Sequence, residues 1–192
     1  GADQSVAAAA SVTLDASASA DNDPGDSIVS YAWTQSLGTA VTLSSTSESQ
    51  PTFTAPSLNV GDSALTLVLK VEVTDTQGAT ATDTVTITVN APANNDPSAS
   101  AGADQSVATA ATVTLDASAS ADTDPGDSIV SYAWTQSSGT DVKLSSTSES
   151  QPTFTAPSLN VGDSALTLVL KVEVTDTQGA TATDTVTITV NA

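Results

Sequence analysis

The chain contains no cysteine, no methionine and no histidine, and its only basic side chains are Lys70, Lys143 and Lys171. Each gap excludes some chemistry. Without Cys or His, the usual nitrogen and sulfur ligands of zinc and copper are missing, and so are the common general base and the thiol nucleophile. A Ser-His-Asp triad is impossible, and no disulfide staples the fold. Two Trp, two Tyr and two Phe are the whole aromatic complement, too few for the sugar platforms that a pair of glycosidase carboxylates would need. With 22 acidic residues against three lysines, the formal charge is −19, which repels nucleic acid and anionic membranes and attracts cations. No run approaches the roughly 18 apolar residues of a membrane span, and no basic segment followed by an apolar one opens the chain. Membrane insertion is therefore not expected, and any secretion signal or anchor is expected outside this sequence.

What is present is oxygen and a pattern. Eighteen of the 22 acids are Asp, accompanied by abundant Ser, Thr and Asn, a donor set that suits hard cations and calcium in particular. Hydrophobic residues make up 39% of the chain and are regularly spaced, which separates it from a charge-expanded disordered segment.

The chain also repeats itself. An offset of 101, as between Trp33 and Trp134, carries residues 1–91 onto 102–192 without a gap, and only Ala8/Thr109, Ser11/Thr112, Asn22/Thr123, Leu37/Ser138, Ala40/Asp141 and Thr42/Lys143 differ. A period near 100 exceeds the roughly 20–50 residues of solenoid units, so each copy should bury its own core. The expected organisation is a first domain over 1–91, a linker over 92–97 (Pro-Ala-Asn-Asn-Asp-Pro) and a second domain over 98–192. Duplication gives an enzyme little, but it lengthens a spacer and gives a weak binder avidity.

Alternation of apolar and polar residues marks half-buried strands. In the second copy about seven are expected, near Ser106–Val107, Thr112–Asp116, Ile129–Gln136, Asp141–Leu144, Thr153–Thr155, Ala165–Thr175 and Thr181–Asn191. Clusters such as Asp122-Thr123-Asp124-Pro125-Gly126-Asp127 and Thr177-Gln178-Gly179 separate them as turns. Ala7 to Ala10 lacks a cap and is bordered by strands, so it reads as a loop rather than a helix. Seven short strands with a single Trp on the third indicate an all-β, immunoglobulin-like sandwich. Trp134 should anchor its core and Tyr132 should pack beside it. Asp141 and Lys143 fall on an expected short edge strand, where charge discourages edge pairing, while Lys70 and Lys171 read as solvated strand residues.

The succession Ala101-Gly102-Ala103-Asp104-Gln105, Val113-Thr114-Leu115-Asp116, Asp122-x-Asp124-x-Gly126-Asp127, Tyr132-x-Trp134, Pro152-Thr153-Phe154-Thr155-Ala156-Pro157 and Val174-Thr175-Asp176-x-x-Gly179 resembles the PKD-like repeats. These occur in tandem in bacterial and archaeal surface proteins, adhesins and secreted hydrolases. The likeness covers both copies. Where the PKD signature continues after the Trp as Asp-Phe-Gly-Asp-Gly, this chain has Thr135-Gln136-Ser137-Ser138-Gly139, which places it on a divergent branch.

In such a sandwich the chain entry, the loop between the second and third strands and the last hairpin turn share one pole. That topology gathers Asn95-Asp96, Asp122, Asp124, Asp127 and Asp176, and clustered carboxylates strain a fold unless a cation neutralises them. The resemblance implies calcium, with Asn95, Asp122, Asp124 and Asp176 as ligands, and Asp96 and Asp127 beside them. In the first copy the counterparts are Asp21, Asp23, Asp26 and Asp75. The competing reading is metal-free, since Asp-Pro-Gly-Asp is a good turn and Asp caps turn amides unaided. EF-hand spacing is absent.

The leading expectation is a monomeric, non-enzymatic extender, extracellular or at the cell surface, whose partners are neighbouring identical repeats. Calcium would stiffen the connection through 92–97, assisted by Asp62. The competing class is an accessory module that binds polysaccharide or a cell-surface protein.

Overall fold

A computed structural model describes all 192 residues as two compact units, Gly1–Ala93 and Asn94–Ala192. In the first, the strands are β1 (Gln4–Ala7), β2 (Ser11–Thr13), β3 (Ile28–Leu37), β4 (Thr52–Thr54), β5 (Leu65–Asp75) and β6 (Thr80–Asn90). The second repeats them as β7 (Gln105–Ala108), β8 (Thr112–Thr114), β9 (Ile129–Ser138), β10 (Thr153–Thr155), β11 (Leu166–Asp176) and β12 (Thr181–Asn191). There is no helix; the Ala7–Ala10 segment leaves β1 through a turn in which Ala9 takes a φ of 57°.

Each unit is a sandwich of unequal sheets. A four-stranded sheet runs β1-β6-β5-β3, facing the short antiparallel pair β2-β4, and the second unit has the sheets β7-β12-β11-β9 and β8-β10. β5 and β6 form a long hairpin in continuous register from Leu65↔Val89 to Thr74↔Thr80, whereas β1 lies parallel to β6, Gln4 opposite Ile87 and Ala7 opposite Asn90.

Period-two burial follows from the pleat, which sends successive side chains to opposite faces. Along β11, Leu168, Leu170, Val172 and Val174 are fully buried, and they meet Val186, Ile188 and Val190 of β12 and Val113, Leu115 and Phe154 of the smaller sheet. Each such side chain contributes about 1.5–3 kcal/mol by leaving water. Trp134 is 2% exposed and donates its indole N–H to the Glu149 carbonyl at 3.1 Å. Its backbone N–H donates to Thr147 at 2.8 Å, tying the long loop after β9 to the core. Tyr132 is half-buried against the same cluster.

One expected strand is absent. Asp141–Leu144 forms no ladder, and each unit has six strands rather than seven. Gly139 explains the departure. At φ 96° it turns so close to β11 that a Cβ there would stand 2.5 Å from the Thr167 carbonyl oxygen, and the ladder between β9 and β11 ends just before it, at Ser138. Gln136 then takes the place of a strand partner: its amide donates to the carbonyls of Ser138 and Thr140 at 3.2 and 2.8 Å and accepts from the Val142 N–H at 2.9 Å. Asp141 and Lys143 are exposed loop residues, not edge-strand charges.

Candidate functional site

In the second unit the acidic pole is built by local hydrogen bonding before any ligand is considered. Asp122 accepts from the Asp124 N–H at 2.6 Å, and the Asp127 N–H donates to the Asp124 carbonyl at 3.1 Å, folding Asp122–Asp127 into two consecutive turns. Gly126, at φ 80°, supplies the left-handed residue that the Asp-Pro-Gly-Asp turn requires. Asp176 ends β11 and is 1% exposed. One of its oxygens accepts the N–H groups of Gln178 and Ala180, both at 2.9 Å, and so holds the final hairpin turn.

The entry segment closes the pole from the other side. Asn94 donates its amide to the second Asp176 oxygen at 3.1 Å. Asn95 engages both oxygens of Asp124, through its backbone N–H at 2.6 Å and its side-chain amide at 2.7 Å. Carboxylate oxygens of Asp122, Asp124 and Asp127 consequently lie within 4.8 Å of one another. Asp96 is exposed and stands outside this group. Asp176 also stands outside it, with Asn94 on one of its oxygens.

In the first unit the corresponding trio is Asp21, Asp26 and Asp75. Here Asp75 again caps its turn, accepting from Gln77 and Ala79 at 2.8 and 2.9 Å, but it has no Asn partner and lies within the cluster. Asp23, the counterpart of Asp124, is exposed. Asp62 serves its own loop, accepting from the Asn59 N–H at 2.7 Å.

Two participants escaped sequence reading. Asn94 contacts Asp176, and the Asn94-Asn95 doublet was the available signal. Thr177 donates its N–H to Asp127 at 2.9 Å and its hydroxyl to the same oxygen. That hydroxyl is the main reason the Asp127 carboxyl is held below the usual Asp range; desolvation opposes it, and the Ser128 and Thr177 amides add smaller lowering contributions. Thr76 does the same for Asp26.

A sign follows for pH. A lowered folded-state pKa means stability that is present above the ordinary carboxyl value, about 4, and lost as pH falls through the lowered one. Thr177→Val should therefore flatten the decline of second-unit stability below about pH 4 and move the Asp127 titration, followed by carboxyl NMR, upward toward the ordinary value. An unchanged Asp127 titration would show that the hydroxyl is not the cause.

The remaining electrostatics are unbalanced. The second carboxylate oxygens of Asp122 and Asp127 are buried and have no hydrogen-bond partner. Buried anionic oxygen without a donor is costly, and so is its proximity to other carboxylates. All-oxygen chemistry, several carboxylates and adjacent amide side chains fit a hard divalent cation, and calcium's tolerance of irregular coordination fits loops of this kind.

A family model described as K319L-like, PKD domain, matches twice, over residues 1–89 and 101–190. The chain belongs to that family. Its two PKD domains are a tandem structural module. No curated protein matches significantly. Among solved structures, the PKD domain of the KIAA 1837 protein is 26% identical, covering 52% of this chain and 91% of its own, with a TM-score of 0.41. A nucleoside hydrolase-related hypothetical protein from Saccharophagus degradans, associated with carbohydrate metabolism, is also 26% identical, over 52% of this chain but only 26% of that one, with a TM-score of 0.39. The titin domains z1z2, solved in complex with telethonin, span 99% of this chain and 92% of theirs at 14% identity and a TM-score of 0.47.

Proposed function

We propose that these PKD domains are extender modules of an extracellular or cell-surface protein, and that calcium at the acidic pole orders the segment by which the chain enters the second domain. The observation that carries this reading is the pair of buried, unpartnered oxygens on Asp122 and Asp127. They call for positive charge, and no lysine or N–H in the domain provides it. Asp122, Asp124 and Asp127 would hold the ion. Asn94 and Asn95 would turn their amide oxygens toward it in place of the N–H groups now donated to the carboxylates, since an amide offers either end. Calcium supplies charge neutralisation and nothing catalytic.

Sequence adjacency gives that binding a mechanical meaning. β6 ends at Asn90 and the first unit at Ala93, and the residues that would complete the site begin at Asn94. A cation holding Asn94 and Asn95 on the pole removes conformational freedom from the few residues that connect Asn90 to Asn94, one of which is Pro92. Proline-containing connectors are semi-rigid already, and fixing one end stiffens them further. Small-angle scattering in millimolar calcium and then in chelator tests the reading. The maximum dimension should become sharply defined with calcium and broaden without it; identical profiles would reject the proposed stiffening.

A further inference from the structure

Asp122 and Asp127 divide their oxygens in the same way, and the division leaves one acceptor on each free. Asp122 uses Oδ1 for the Asp124 N–H at 2.6 Å, and its Oδ2 is buried without a donor. Asp127 collects three donors on Oδ1: the Ser128 N–H at 2.7 Å, the Thr177 N–H at 2.9 Å and the Thr177 hydroxyl. Its Oδ2 is likewise buried and bare. A carboxylate whose donors all fall on one oxygen cannot rotate without giving up those charge-assisted bonds, so the direction of its other oxygen is fixed.

The donors differ in origin. The Asp124 and Ser128 amides lie in the loop itself, two residues and one residue from the acids they serve, whereas Thr177 stands 50 residues from Asp127, in the turn between β11 and β12. Asp176 holds that turn by accepting from Gln178 and Ala180, both at 2.9 Å, while the Thr177 N–H goes to Asp127. The Thr177 hydroxyl bonds only to Asp127. One threonine therefore locks the last hairpin to the acidic loop. The first unit forms the same contact, with the Ser27 N–H at 2.7 Å, the Thr76 N–H at 3.1 Å and the Thr76 hydroxyl all on a single oxygen of Asp26.

We propose that Thr177 is a positioning residue for the cation, acting through Asp127: it pins Oδ1 so that Oδ2 is the oxygen left to meet the ion. The assignment rests on the calcium reading above and adds to it a residue, outside the acidic loop, that sets the affinity. Partners that orient a metal-ligating carboxylate change affinity by about 10–100-fold when they are removed. Thr76 has the same role toward Asp26.

The test uses the full 192-residue chain with Asp21→Asn and Asp26→Asn, so that uptake reports the second unit, and compares it with the same chain carrying Thr177→Val or Thr177→Ser. Calcium binding is followed by titration calorimetry at neutral pH. Europium(III), a hard cation in calcium's place, reports through its luminescence lifetimes in light and heavy water how many waters stay bound. Thr177→Val keeps the branched shape and the backbone donor and removes only the hydroxyl. Calcium should then bind at least about tenfold more weakly, and europium should carry about one more water as Asp127 disengages. Thr177→Ser restores the hydroxyl and should bind as the parent does. Melting in chelator separates a folding role from a positioning one: a hydroxyl that only stabilised the turn would lower the metal-free transition and leave affinity and water count unchanged. That result overturns the proposal, and so does an equal loss of affinity in the Ser and Val variants. A parent chain that takes up no calcium overturns the calcium reading along with this one, whereas equal affinity in the parent and Thr177→Val overturns this one alone.

Discussion

Trp134→Ala is expected to abolish or nearly abolish the independent stability of the second domain while leaving the first in place. The indole is 2% exposed and makes two kinds of contact at once, packing between the sheets and donating to the Glu149 carbonyl. Removing a buried Trp costs about 3–5 kcal/mol through lost transfer energy and the cavity left behind. The orphaned carbonyl adds to this. A domain of this size holds only about 5–15 kcal/mol in total. At about 4–8 °C per kcal/mol, the second transition should fall by at least roughly 15 °C. Scanning calorimetry is the measurement, with Trp33→Ala as the mirror experiment, since Trp33 is 3% exposed and donates to Glu48 at 3.0 Å. Each substitution should move one transition. If either lowered both transitions equally, the two cores would not be independent.

Calcium is expected to produce the second large effect, in the opposite direction. A ligand that binds only the folded state at 100 times its dissociation constant adds about 2.7 kcal/mol, which for a domain this size is roughly 10–20 °C. Asp122→Asn with Asp127→Asn should erase that response. The metal-free double variant should melt somewhat lower than the parent above about pH 4, because Asn offers the Thr177 and Ser128 donors a neutral acceptor in place of the ionised Asp127 carboxylate. Magnesium should do much less, since it demands near-octahedral geometry and dehydrates reluctantly. No calcium-dependent shift in the parent chain would remove the metal from the account and leave the acids as turn caps.

The fold was legible in the sequence wherever a residue's role depends on its own strand. The inward row Leu168, Leu170, Val172 and Val174 is written as alternation, and Trp134 stands out as the one Trp of its domain. Asp141–Leu144 was misread because alternation says which way side chains point and nothing about whether a neighbouring strand exists. That depended on Gly139 and on the three hydrogen bonds of Gln136. At the pole, turn chemistry made Asp122, Asp124 and Asp127 visible, and topology put Asp176 nearby. What spacing could not express is how a carboxylate divides its two oxygens. Asp176 spends one on the hairpin turn and one on Asn94, while its twin Asp75 lacks that asparagine and lies within the first unit's cluster.

The parallel pairing of β1 with β6 sets how a domain responds to being pulled. Because Gln4 lies beside Ile87 and Ala7 beside Asn90, the chain enters at the start of one strand and leaves at the far end of its neighbour. Tension applied through the two termini therefore slides the pair lengthwise, loading its inter-strand hydrogen bonds together. An antiparallel terminal hairpin would peel open one bond at a time under the same load. The same architecture that stabilises the domain at rest thus makes it resist extension, so that a tether made of such beads would stretch its connectors before it unravelled its sandwiches.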